Sequence, residues 1–182
     1  MLHKAAVLVV AGTLTAQTAP FVATPPDVVE RMLAIAQVQA SDVVYDLGCG
    51  DGRIVIAAAR TYGARGVGVD IDPVRIEQAR QNARLAGVEH LVAFRVEDAR
   101  TTDLTDATVV TLYLVAALNA QLRPRLTTQL RPGARIVSHN FPIGDWEPDR
   151  VDVFRSADGQ TRTLYLWLVS NPKPQDPTPK PQ

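Results

Sequence analysis

The sequence predicts an α/β domain, with a mostly parallel sheet, helices on both faces and an antiparallel hairpin at the carboxyl end. Three observations carry this reading. Short apolar runs alternate with helical patterns through most of the chain, a glycine-rich turn joins the first run to the helix after it, and the last two β-rich runs follow each other with no helix between them. Continuous apolar strands separated by helices need cover on both faces, and crossover helices supply it.

Thr24, Pro25 and Asp27 match a capping box with proline at the first helical position. The helix that follows gathers Val28, Met32, Ile35 and Ala36 on one face. A strand at 43–45 leads through the glycine turn into a helix at 53–61, then a strand at 66–69 and a helix at 73–85 opened by Asp72 and Pro73. Strands follow at 91–96 and 107–113, then a helical region at 117–130, the turn LRPG, and a strand at 134–139. The last two strands, 151–154 and 161–169, are joined by SADGQ and read as a hairpin.

The two ends differ from this pattern. Residues 1–19 place Lys4 before the apolar stretch from Ala5 to Leu14 and small residues after it, the layout of a secretory signal peptide. The stretch is short for a span, which needs about 20 residues. Export to the periplasm or outside is therefore expected, with an uncleaved membrane anchor or a cytoplasmic protein whose start codon is misassigned as alternatives. Residues 171–182 carry proline at alternating positions and nothing apolar, which predicts an extended, disordered tail. The globular domain is expected over 24–170, with no second domain and no internal repeat.

The chain of 182 residues is long enough for one real core. Lys and Arg total 19 and so do Asp and Glu, so net charge gives no reason to expect nucleic acid as a partner. One cysteine, Cys49, excludes an intramolecular disulfide and any cysteine-based zinc cluster, and no metal is expected. The three histidines form no pattern that would activate Cys49 as a nucleophile.

The chemistry is concentrated in VVYDLGCGDGR, residues 43–53. Gly48, Gly50 and Gly52 can take backbone angles closed to other residues and let a ligand lie on the main chain. A dinucleotide loop would read G-x-G-x-x-G against a pyrophosphate. Here the spacing is G-x-G-x-G, with Asp46 and Asp51 on either side. Two acids serve a pyrophosphate poorly but tolerate a sulfonium beside an α-amino group, which points to S-adenosylmethionine (AdoMet). Asp70 in GVDIDP, and Glu97 with Asp98 in FRVEDAR, end the next two strands at the same sheet edge. Asp70 lies one strand–helix–strand unit beyond the loop, where its carboxylate can accept both ribose hydroxyls.

From Thr24 to Val169 the chain resembles the class I AdoMet-dependent methyltransferases, whose Rossmann-like sheet has seven strands. The resemblance implies that Asp46 and the backbone of Gly48, Cys49, Gly50 and Gly52 hold the methionine end of the cofactor. It implies further that Ile71 touches adenine, Asp98 accepts the adenine amino group and Ala99 flanks the ring. No N-P-P-Y-like motif of the amide and adenine nitrogen methylators is present. Instead the leading TPP, DLGCGDGRIVI, TVVTLYL with LRPRL, and RIVSHNFPIGDW resemble the protein-lysine methyltransferases: a small broad-specificity archaeal enzyme and, more distantly, the mitochondrial enzymes acting on ATP synthase subunit c and the adenine nucleotide translocase. Ala23, where that pattern has proline, and Val115 with Ala116 after TLYL depart from it.

A lysine acceptor must lose its proton, which at pH 7 costs roughly 4 to 5 kcal/mol for an amine whose unperturbed pKa is near 10.4. A partly dry channel lowers that cost. Tyr113, Asn140, Phe141 and Trp146 are the candidates to line it, Trp146 by cation–π contact, with His139 a possible base. The expected partner is a protein with an accessible lysine, methylated by a monomer that meets a membrane only through an uncleaved anchor. The rival readings are a small-molecule methyltransferase and a non-catalytic AdoMet-binding module.

Overall fold

The computed structural model describes residues 22–170. The export segment and the proline-rich tail expected from the sequence lie outside these residues. Among the described residues, no helix is long and apolar enough to cross a membrane.

The elements run α1 (Pro26–Ile35), β1 (Val43–Leu47), α2 (Arg53–Tyr62), β2 (Arg65–Asp70), α3 (Pro73–Leu85), β3 (Val92–Val96), β4 (Val109–Leu112), α4 (Ala116–Gln129), β5 (Arg135–His139), β6 (Arg150–Arg155) and β7 (Thr161–Leu168). They form one seven-stranded sheet in the order β3-β2-β1-β4-β5-β7-β6. The first five strands are parallel, and β7 is antiparallel to both neighbours. From β1 the chain winds outward through β2 and β3, then returns to place β4 on the other side of β1. The order reverses there, and the carboxyl ends of β1 and β4 open the crevice where such sheets take ligands.

Alternation along the strands feeds two cores. Val44, Val109, Val137 and Leu164 pack with α1, α2 and α3 on one face, against Met32, Ile54 and Ile76. Leu47, Val110, Leu112 and Ile136 pack on the other face with Leu122 and Leu126 of α4 and with Trp167. The strands are therefore apolar without interruption because both faces are covered. The exception is β3, where only Phe94 is buried. It is an outer strand, and no helix covers its second face.

At the amino ends of the central strands, Asp42 is buried and accepts hydrogen bonds from Arg135 Nη2 at 2.5 Å, Thr108 Oγ1 at 2.7 Å and the Gln39 N–H at 2.7 Å. This joins the starts of β1, β4 and β5 and fixes their mutual register.

Two local expectations are corrected. Thr24 does not cap α1: the N-cap is Pro25, which has no side-chain hydrogen bond to give, and the helix starts one residue later. Asp27 turns away from the helix end and accepts from Ser156 Oγ at 2.8 Å and the Ala157 N–H at 2.7 Å, tying α1 to the β6–β7 turn. Strand β4 is also shorter than the apolar run 107–113 suggested, so Tyr113 stands just past its carboxyl end.

Candidate active site

The glycine loop is shaped by its neighbours as well as by its sequence. Gly48, Gly50 and Gly52 have φ of 81°, 52° and 79°, in the left-handed region that glycine enters without strain. The N–H groups of Gly48 and Cys49 both donate to Val69 O at 2.9 Å, which hangs the loop on β2. The Gly50 N–H donates to Asp70 Oδ2 and the Asp72 N–H to Asp70 Oδ1, each at 3.0 Å. A Cβ on Gly52 would stand 2.6 Å from Phe94 Cε1 and 2.9 Å from the Ala79 Cβ. The third glycine is therefore required by packing of the loop on α3 and β3.

Above the loop lies a cavity of about 970 Å³, near the top of the roughly 300–1,000 Å³ range of small-molecule sites. It draws together Asp46, Gly48, Cys49, Asp70, Ile71, Asp98 and Ala99 from the predicted cofactor set, and Tyr113 and Phe141 from the acceptor set. Gly50, Gly52, Asn140 and Trp146 do not line it.

Asp46 is 3 % exposed and accepts from Thr111 Oγ1 at 2.7 Å. Burial pushes its carboxyl up to about 7; the Thr111 hydrogen bond opposes the rise, and the charges of Asp70 and Asp51 add to it. An acid this strained by burial fits a cationic ligand group. Asp51 behaves differently: burial raises it, but the Arg53 guanidinium, at 2.9 Å from Oδ1 and 2.5 Å from Oδ2, holds it below the usual carboxylate range. Arg53 also donates to Thr24 O at 2.8 Å, which anchors the leading loop of Val22, Ala23 and Thr24 at the cavity wall.

A carboxylate has about four acceptor positions. Asp70 uses one on each oxygen for backbone N–H groups and keeps capacity for two ribose hydroxyls. Asp98 does not: Arg100 donates to both its oxygens through Nε, Nη2 and its own N–H. These hydrogen bonds hold the Asp98 carboxyl below the usual range. An adenine amino group would have to displace the Arg100 side chain, which is largely exposed, so the exchange costs little. Cys49 is buried, and burial followed by the Asp46 charge pushes its thiol far up, so it remains a neutral packing group.

On the acceptor side the walls come from the end of β4, the start of α4 and the loop after β5. Tyr113, Leu114, Val115, Leu118, Gln121 and Phe141 line this part, and none carries a charge. Helix α4 begins at Val115 with no side-chain cap, so its partial positive end stays at the wall. Asn119 Nδ2 donates to Phe141 O at 3.0 Å and Ser138 Oγ at 3.2 Å, fixing the β5 loop against α4. Asn119, Leu118 and Gln121 were not foreseen, because one sequence does not show which turn of α4 meets the crevice.

Three acceptor-side assignments are corrected. Asn140, at φ 62°, donates through its N–H to Thr163 O at 2.7 Å and accepts from the Thr163 N–H at 3.1 Å, so it fastens β5 to β7. Trp146 packs on Trp167 with ring centroids 6.0 Å apart, lies under the Arg123 guanidinium, and accepts at its carbonyl from Trp167 Nε1. It covers the outer core. His139 is fully buried, and burial, then the Arg162 charge, pushes its pKa down to about 4. It is neutral at physiological pH and sits 4.0 Å from the Tyr113 ring, as a support rather than a base at the cavity wall.

Comparison with known proteins places this geometry. Residues 46–150 match the family model described as the ANTKMT methyltransferase domain. A protein-lysine N-methyltransferase of Saccharolobus islandicus is 42 % identical over 85 % of this chain and 96 % of its own length. An adenine nucleotide translocase lysine N-methyltransferase of mouse is 33 % identical over 71 % of this chain, which spans 56 % of it. A crystal structure from Salinibacter ruber, described as an RNA methyltransferase in complex with S-adenosyl-L-homocysteine, is 52 % identical with a TM-score of 0.78, over 85 % of this chain and 98 % of that one. The seven-stranded sheet, the glycine loop at its switch point and these matches agree: the chain belongs to the ANTKMT methyltransferase domain family and is an AdoMet-dependent methyltransferase.

Proposed function

We propose that this enzyme transfers the methyl group of AdoMet to lysine ε-amines of protein substrates. The observation that carries the reading is the change of character along one cavity. Its charged residues, Asp46, Asp51, Asp70, Asp72, Glu97 and Asp98 with Arg53, Arg75 and Arg100, all belong to the cofactor half, and the wall from Tyr113 to Gln121 with Phe141 has none. The named substrates of the archaeal and mitochondrial relatives support the same acceptor.

When bound, AdoMet supplies a methyl group already activated by its sulfonium. The protein's part is to orient and to exclude water. In this reading Asp46 and the loop amides take the methionine end, Asp70 the ribose hydroxyls, and Ile71, Asp98 and Ala99 the adenine, within a domain spanning 24–170. Tyr113 and Phe141 flank the incoming amine. An uncharged wall disfavours the ammonium form of lysine, and the uncapped end of α4 adds to this by placing partial positive charge beside it. Both favour the neutral amine, whose lone pair is the nucleophile.

RNA is a second reading, motivated by the description of the Salinibacter structure. The cavity wall argues against it, because six acids face three arginines there, whereas a phosphate backbone calls for clustered Lys and Arg. Purified enzyme given methyl-labelled AdoMet with mixed basic proteins and total RNA separates the two. Label surviving nuclease and released as methyl-lysine after proteolysis is expected; label lost to nuclease would refute the lysine reading.

A further inference from the structure

The rim of the cavity is apolar where the substrate must arrive. Of the nine large hydrophobic residues that are well exposed among the described residues, five stand at this one sheet edge. Val22, Ile71 and Val115 line the cavity itself and are 59 %, 56 % and 50 % exposed. Val74 lies between the lining residues Asp72 and Arg75, and Val96 ends β3 beside the lining residue Glu97. Scattered exposed apolar residues need no explanation, but a concentration around a binding cleft marks an interaction surface.

Ile71 adjoins the proposed adenine position, so cofactor can account for it. Val22, on the leading loop, and Val115, at the uncapped start of α4, flank the acceptor wall of Leu114, Leu118 and Phe141 and remain without an assigned partner. Around this apolar entrance the charge is acidic by six carboxylates to three arginines. A bound cofactor with net charge +1 leaves that sign in place.

Taking the lysine reading as its basis, we propose that the entrance at Val22 and Val115 selects lysines set among apolar side chains, on a segment whose net charge is positive or neutral. The neighbours of the lysine rest on Val22 and Val115, while the acidic cofactor half attracts a cationic segment and repels an acidic one. Lysines in polar, acid-flanked stretches are poor substrates because they leave the valines wet and meet like charge.

The test uses peptides of one length with a single central lysine flanked by valine and leucine, by serine and asparagine, or by aspartate, assayed with the full-length enzyme and labelled AdoMet. The expected kcat/KM is at least tenfold higher for the apolar-flanked peptide than for the serine-flanked one, and lower again with aspartate. Val115→Asp should lower kcat/KM for the apolar peptide at least fivefold while AdoMet affinity, read by calorimetry, stays within twofold; Val22→Ser provides a second, milder variant. Equal methylation of all three peptides would overturn the selectivity while leaving lysine methylation intact. Methylation of none of them by an enzyme that methylates RNA or a small molecule would sink both.

Discussion

Asp46 offers the sharpest link between the stability of this fold and its chemistry. Its carboxyl titrates near 7 in the folded protein, raised chiefly by burial, against about 3.9 in an unfolded chain. Below about pH 4 both states hold the proton and burial costs nothing. As pH rises through the interval from about 4 to 7 the unfolded state releases its proton first, so stability declines until the folded carboxyl also ionises, and the whole loss is present above pH 7. At 1.36 kcal/mol per unit the loss reaches about 4 kcal/mol. Asp46→Asn keeps the shape and an acceptor for Thr111 but removes the charge. If only a quarter of that loss is recovered, Tm at pH 8 should rise by roughly 2–4 °C, with no gain at pH 4. The same variant should bind AdoMet more weakly, because a bound cation is what repays ionising this carboxyl. In the wild type AdoMet affinity should rise about tenfold between pH 6 and pH 8, as the ionised fraction of a group with pKa 7 grows tenfold, and the variant should lose most of that slope. Thermal unfolding and calorimetry across pH 4 to 8 measure both. An Asp46→Asn protein less stable at pH 8 than the wild type, or a wild-type affinity flat from pH 6 to 8, would refute the reasoning.

Asp70→Ala should weaken AdoMet binding by about 1.5 kcal/mol or more, the scale of a hydrogen bond to a charged group, and calorimetry that finds unchanged affinity would remove the ribose role. Gly52→Ala forces φ 79° on a residue with a Cβ directed at Phe94; a loss of roughly 2–4 kcal/mol is expected in denaturant unfolding, and a neutral result would contradict the packing described for the third glycine. Tyr113→Ala should lower kcat/KM for a lysine substrate tenfold or more with AdoMet affinity held within twofold, whereas Trp146→Phe should leave both quantities within twofold. The reverse ranking would return Trp146 to the acceptor channel.

The sheet was legible because its signals are local. Apolar runs bounded by LGCGDG, by Asp72 with Pro73 and by LRPG mark where strands and helices turn over, and α3 begins and ends where its pattern says. The cofactor half was nearly as legible, since Asp46, Asp70 and Asp98 each follow a strand and so must reach the same edge. The acceptor half was not. Asn140 and Trp146 are close to Phe141 in sequence, but a left-handed turn at Asn140 sends its side chain to β7 and the stacking on Trp167 draws Trp146 to the outer core. Thr24 had every local mark of a cap, and the Arg53 guanidinium claimed its carbonyl instead. Gly52 shows the converse: a residue that reads as ligand cradle is demanded by Phe94, a contact set by strand order rather than by spacing.

The central claim is that the nucleophile is a lysine amine. The described domain contains no lysine, and the chain carries only Lys4, Lys173 and Lys180. With those three changed to arginine, every methyl-lysine formed belongs to a substrate. Incubating that enzyme with trideuteromethyl-labelled AdoMet and a basic protein mixture, native or with its lysines acetylated, followed by site mapping in a mass spectrometer, tests the claim directly. Trideuteromethyl groups on lysine Nζ in the native mixture, and their loss on acetylation, are predicted. Equal labelling of both mixtures at other atoms, with none at lysine, would contradict it.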